Sequence, residues 1–240
     1  MPDQQPDQQP DEAAEPQQNV TFPSNGSTAH GYLEVPESGS GAGVGVIQAW
    51  WGLTTHMGDV VRRLAAEGFV ALAPDLYGGS TTHDSAEAMQ LAQTLPQDRA
   101  AGDLAGAVDY LLGLDAVTSS TVGVIGFCMG GGFVLRLAAR EGDRVSAAVP
   151  FYGFPGADFD PAGLTAAVQG HYGQDDHSIE VAAVEAAFAK IRVGGASAEL
   201  FTYSAGHAFY NDENLLGTYD REQAELAWSR ASAFLRDTVR

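Results

Sequence analysis

The run Gly126-Phe127-Cys128-Met129-Gly130-Gly131-Gly132 constrains this chain more than any other. An apolar, β-branched stretch precedes it, Thr121-Val122-Gly123-Val124-Ile125. A helical stretch follows, Phe133-Val134-Leu135-Arg136-Leu137-Ala138-Ala139. A strand, a glycine-flanked turn and a helix form a nucleophile elbow, here with cysteine where serine usually sits. The turn residue is strained, and strand and helix pass so closely that the positions two before and two after it must be small. Gly126 and Gly130 occupy them. A lone cysteine on its own reads as a small buried hydrophobe. The flanking glycines favour a reactive thiol instead, because a core cysteine has no need of them. The helix starting behind the sulfur offers free N–H groups to a thiolate and then to an oxyanion.

The rest of the chain reads as strands alternating with helices. Strands are expected over 19–22, 30–35, 44–50, 69–73, 121–125, 145–153, 164–173 and 198–203. Helices are expected over 56–67, 85–95, 98–112, 133–139, 179–191 and 219–236. The segment 36–43 is glycine-rich and reads as a flexible, hairpin-like loop. It precedes a strand rather than opening a helix, so it is not a dinucleotide loop. The alternation implies α/β class, with a mostly parallel sheet covered by helices on both faces. Residues 1–18 repeat Pro-Asp-Gln-Gln without apolar periodicity and are expected to be a disordered acidic tail. A partner-binding role for that tail is the weaker reading. Residues 19–240 are expected to form one domain, a size that supports a well-buried core.

Composition excludes several classes. The formal charge is −19, and Lys190 is the only lysine. Nucleic acid and anionic membranes need a basic patch, so neither is an expected partner. No apolar run is long enough to span a bilayer, and no signal peptide is visible. One cysteine cannot form an internal disulfide, which fits a reducing, cytoplasmic compartment.

A thiol nucleophile needs a base, and the base needs an orienting acid. In this architecture they follow in the order nucleophile, acid, base. Asp175 and Asp176 follow the strand ending at Gly173, and His207 follows the last strand in Ala205-Gly206-His207-Ala208-Phe209. Asp176 is the chosen acid and Asp175 a loop residue. His171 and His177 flank the aspartates, but no His-x-x-x-His helix or cysteine pair supports a metal site. The oxyanion donors are expected to be the backbone N–H of Met129, just after the thiol, and that of Trp50, after the third strand.

These motifs together resemble the dienelactone hydrolase family. Its elbow is Gly-x-Cys-x-Gly-Gly, and Gln48-Ala49-Trp50-Trp51-Gly52-Leu53, Ala73-Pro74-Asp75-Leu76-Tyr77-Gly78, Gly173-Gln174-Asp175-Asp176 and Ala205-Gly206-His207-Ala208-Phe209 fall in the family's order. The resemblance covers about residues 20–238. It implies an α/β-hydrolase, a three-layer sandwich, as monomer or homodimer. Cys128 would be nucleophile, His207 base and Asp176 orienting acid. The substrate would be a small ester or lactone, hydrolysed through a thioester without a cofactor.

Three positions depart from the family pattern. Ala49 stands where the family usually has a glutamate beside the thiol. Gly79 and Asn211 stand where well-known members carry arginines for a substrate carboxylate. Two charge-assisted bonds of about 1.5–3 kcal/mol each are thereby missing. A neutral ester or lactone is therefore expected, with Trp50, Trp51, Tyr77, Phe209 and Tyr210 as pocket walls. The departures also leave open a second class: a weak or inactive relative that binds a hydrophobic ligand without turning it over.

Overall fold

The structure is a computed structural model and describes residues 18–240. The expected tail at 1–18 lies outside them except for Gln18. The elements run β1 (Val20–Ser24), β2 (Ser27–Glu34), β3 (Gly41–Ile47), α1 (Thr55–Ala66), β4 (Val70–Pro74), α2 (Ser85–Thr94), α3 (Gln97–Gly113), β5 (Val117–Phe127), α4 (Met129–Glu141), β6 (Val145–Phe151), β7 (Ala167–Gly173), α5 (Val181–Val193), β8 (Ala198–Tyr203) and α6 (Arg221–Thr238). The eight strands form one sheet in the order β1-β2-β4-β3-β5-β6-β7-β8. β1 and β2 pair antiparallel, β2 joins β4 antiparallel, and the remaining strands are parallel.

The pleat sends alternate residues to two apolar layers. Val44, Val46, Ile125 and Val149 pack with Val60, Val61 and Leu64 of α1 and with Trp228 and Leu235 of α6. Val122, Val124, Ala148 and Val168 pack with Leu104 and Leu111 of α3, Val134 of α4 and Phe188 of α5. Strands buried on both faces read as continuous apolar runs, and helices must cover each side. Each fully buried Val, Leu or Phe contributes about 1.5–3 kcal/mol. Among the described residues, no helix is long and apolar enough to cross a membrane.

Differences from the sequence reading are local. The loop at 36–43 is not a hairpin: β4 lies between β2 and β3, and Gly41 and Gly43 already belong to β3. The hairpin is β1–β2, whose turn is Asn25-Gly26, both at positive φ (47° and 82°). Leu164 falls before β7, which begins at Ala167. In α3 the buried face includes Ala100, Leu104 and Leu111.

β3 ends at Ile47, three residues short of the expected end. The cause lies across the sheet, at the start of α4. A Cβ on Gly130 would stand 2.3 Å from the Ile47 carbonyl oxygen and 2.6 Å from that of Gln48. The first turn of α4 therefore sits directly on the carboxyl end of β3, and the chain leaves the sheet there. Gly130→Ala is expected to destabilise the fold by about 1–3 kcal/mol, since backbone rather than a flexible side chain must move. Denaturant unfolding measures this; an unchanged midpoint contradicts the close approach.

Candidate active site

Cys128 occupies the single residue between β5 and α4. Its backbone is at φ 53° and ψ −116°, a strained conformation for a side-chain-bearing residue. Two hydrogen bonds hold it there. Its N–H donates to the Phe151 carbonyl at the end of β6 (3.0 Å), and its carbonyl accepts from the Gly131 N–H (3.0 Å). The thiol is left partly exposed.

The loops after β7 and β8 bring two distant residues to that sulfur. His207 Nε2 lies 3.2 Å from Cys128 Sγ. His207 Nδ1 lies 2.7 Å from Asp176 Oδ2. The other oxygen of Asp176 accepts from the N–H groups of Ser178 (2.7 Å) and Ile179 (2.9 Å). The Asp176 side chain is only 1% exposed. Asp175, by contrast, donates its N–H to the Ala205 carbonyl, a loop contact.

The electrostatics follow from this line of contacts. Burial alone pushes Asp176 upward, but the His207 bond and the two N–H groups outweigh it and hold the carboxyl below its usual range. Burial alone pushes His207 downward. The Asp176 bond and then the Cys128 sulfur reverse this and raise the imidazole to about 10. The arrangement stabilises an imidazolium between the Asp176 carboxylate and the Cys128 sulfur.

Met129 is the first residue of α4, so its N–H has no intrahelical partner. Trp50 lies in the turn just past β3, on the loop that Gly130 approaches. Tyr77, on the loop after β4, is partly buried with its hydroxyl 3.5 Å from Met129 Sδ. Burial, and then the nearby sulfur charge, holds its phenol above the usual range.

A small cavity adjoins the thiol. Trp50 and Trp51 line it, with Ala49, Tyr152, Ala208, Asn211 and Leu216 among its other walls. Three residues expected as walls, Tyr77, Phe209 and Tyr210, are not among its lining residues. Phe209 is 0% exposed and packs on Tyr152 and Tyr203. Tyr210 is buried against Phe127 and Trp228 and receives a hydrogen bond from Arg63. Both face inward because the loop turns at Ala208, at φ 60°.

Among the wall residues that sequence reasoning missed are Tyr152 and His56. Tyr152 sits just past β6 at φ 35°, its ring edge-on to His207 at 5.3 Å. The carboxyl end of a parallel strand is the general signal for it. His171 is wholly buried, with Nδ1 2.7 Å from the Tyr203 hydroxyl and Nε2 3.2 Å from Gln169 Oε1. Both ring nitrogens are engaged inside the sheet. Burial lowers its pKa to about 3, so it stays neutral.

The sequence profile of the dienelactone hydrolase family matches residues 29–239. The chain belongs to the dienelactone hydrolase family. The fold is the α/β-hydrolase fold of that family, and the chain is a hydrolase of the carboxylic-ester class. Protein usf of Aquifex pyrophilus is 32% identical over 92% of this chain and 98% of its own. A Bradyrhizobium protein described as a probable 2-oxo-3-(5-oxofuran-2-ylidene)propanoate lactonase is 33% identical over 90% of this chain and 92% of its own. Among solved structures, a dienelactone hydrolase-like promiscuous phosphotriesterase from metagenomic libraries superposes with a TM-score of 0.80. It is 27% identical and covers 92% of this chain and 97% of that one.

Proposed function

We propose that this dienelactone hydrolase family member cleaves a neutral carboxylic ester or lactone through a thioester on Cys128. The observation that carries the reading is the line Asp176–His207–Cys128, with contacts of 2.7 and 3.2 Å. The thiolate attacks the carbonyl carbon, forming a C–S bond. The N–H groups of Met129 and Trp50 receive the oxyanion. As the intermediate collapses, the C–O bond breaks and the leaving alkoxide takes the proton from His207. His207 then accepts a proton from water, whose oxygen attacks the thioester. The C–S bond then breaks, the carboxylic acid departs and gives its remaining proton to solvent, and the imidazolium–thiolate pair returns. Asp176 fixes the imidazole tautomer throughout. No step calls on a cofactor.

Neutrality of the substrate rests on charge. Ala49 and Asn211 line the cavity, and among its described lining residues none is Arg or Lys. A carboxylate would enter without a cationic partner, against a net charge of −19. The substrate of the Bradyrhizobium relative is, by its name, a carboxylate. We assign this chain a different acyl group. A free catalytic thiol also suits a reducing compartment, so we place the enzyme in the cytoplasm, as a monomer or homodimer.

An ester and lactone panel tests the reading. Neutral esters are expected to exceed carboxylate-bearing lactones in kcat/KM by at least about tenfold, the worth of one missing charge-assisted bond. Ala49→Glu is expected to slow hydrolysis of neutral esters by about tenfold, because a carboxylate beside the sulfur opposes the thiolate. A faster Ala49→Glu enzyme, or a preference for anionic lactones, contradicts the proposal. Tight ligand binding without any product burst would favour a binding role instead.

A further inference from the structure

A second histidine stands on an aspartate beside the same cavity. His56, in the first turn of α1, places Nδ1 2.7 Å from Asp212 Oδ1. The two residues are 156 positions apart. The ring is 6% exposed and lines the cavity that holds Cys128 and His207. Its Nε2 is buried and has no hydrogen-bond partner among the described residues. Phe127 and Tyr210 pack edge-on against the ring, at centroid distances of 6.4 and 5.9 Å, and fix its plane.

The chemistry of that nitrogen follows from its neighbour. The hydrogen bond from His56 is the main cause holding the Asp212 carboxyl below its usual range, so Asp212 is the ionised acceptor. Nδ1 is taken up by that carboxylate, and Nε2 is left as the ring's remaining polar atom. A buried polar atom without a partner is unfavourable until one reaches it, and a hydroxyl can serve as donor or acceptor. Nε2 calls for an O–H group within the cavity. Ala49, with its single methyl, lines the same space.

Position decides which part of the substrate supplies the hydroxyl. The leaving alcohol must depart towards solvent, whereas the acyl group stays attached to Cys128 while water attacks. The acyl group is therefore the part held in the cavity that His56 and Cys128 both line. We propose that His56, positioned by Asp212, is a specificity-determining residue that shares a hydrogen bond with a hydroxyl on the acyl group, so that the preferred substrates are esters of hydroxy acids. This rests on the thioester reading of Cys128 for its orientation.

Phenyl glycolate and phenyl propionate test it, because CH₂OH and CH₂CH₃ are nearly isosteric. After normalisation to hydroxide-catalysed rates, the wild type is expected to favour the glycolate by about tenfold in kcat/KM. His56→Phe should bring the ratio to about one. His56→Gln, whose amide still hydrogen-bonds a hydroxyl, should retain part of the preference. Asp212→Asn should weaken it by loosening the ring. The reading is a ratio, so a general loss of rate cancels. In Cys128→Ala the same preference is read as affinity by calorimetry, which separates this proposal from the role of the thiol. A ratio unchanged in His56→Phe, or a wild-type preference for propionate, overturns the proposal.

Discussion

Cys128→Ala is expected to lower kcat/KM on p-nitrophenyl acetate by a factor on the order of 10⁴ or more, with the fold intact. The cause is the loss of the attacking atom at the one position where β5, the start of α4 and His207 converge. The residual rate should reflect the Met129 and Trp50 N–H groups, which remain. Cys128→Ser should recover little. His207 is tuned by contact with sulfur at 3.2 Å, and the alcohol does not ionise as a thiol does. Initial rates, with circular dichroism as a folding control, measure the effect. Turnover that survives in Cys128→Ala would place the nucleophile elsewhere.

Asp176→Asn should cost about 10²–10⁴ in kcat, because the amide cannot accept the Nδ1 proton as the carboxylate does. Its pH signature is specific. The folded protein raises His207 to about 10. That stabilisation is fully present below the ordinary histidine value of about 6.5 and is lost as pH rises through about 10. Wild-type melting temperature should therefore fall between pH 7 and 10. Asp176→Asn should start lower at pH 7 and fall less over the same range. The lowered Asp176 works in the other direction: its contribution is present above about 3.9 and lost as pH falls through the folded value. Parallel melting curves for the two proteins between pH 7 and 10 would refute the ion pair.

Much of the frame was legible in the residues. Glycines around Cys128 encode the close approach of strand and helix, and the structure shows Gly130 against the carbonyls of Ile47 and Gln48. The apolar spacing of α1 and α6 announced their buried faces, including Val60, Val61, Leu64 and Trp228. The histidine after β8 and the aspartates after β7 were legible because parallel strands deliver their following loops to one edge. What escaped was set by partners far away in the chain. β3 stops at Ile47 because of a helix some eighty residues later. Phe209 and Tyr210 looked like walls from their place after His207, yet Ala208 turns them into the core. His56 looked like an ordinary residue at a helix start. Only the fold brings Asp212 to it.

The central claim is a covalent acyl group on one sulfur. The direct measurement is acid quench during steady-state turnover of p-nitrophenyl acetate, followed by peptide mass spectrometry. One acetyl group should appear on the peptide carrying Cys128, removed by hydroxylamine and absent from Cys128→Ala. It should accumulate further in Asp176→Asn if that change slows deacylation more than acylation. Full turnover with Cys128 unmodified, or an acetyl group on another side chain that forms and decays at the rate of turnover, would contradict the account.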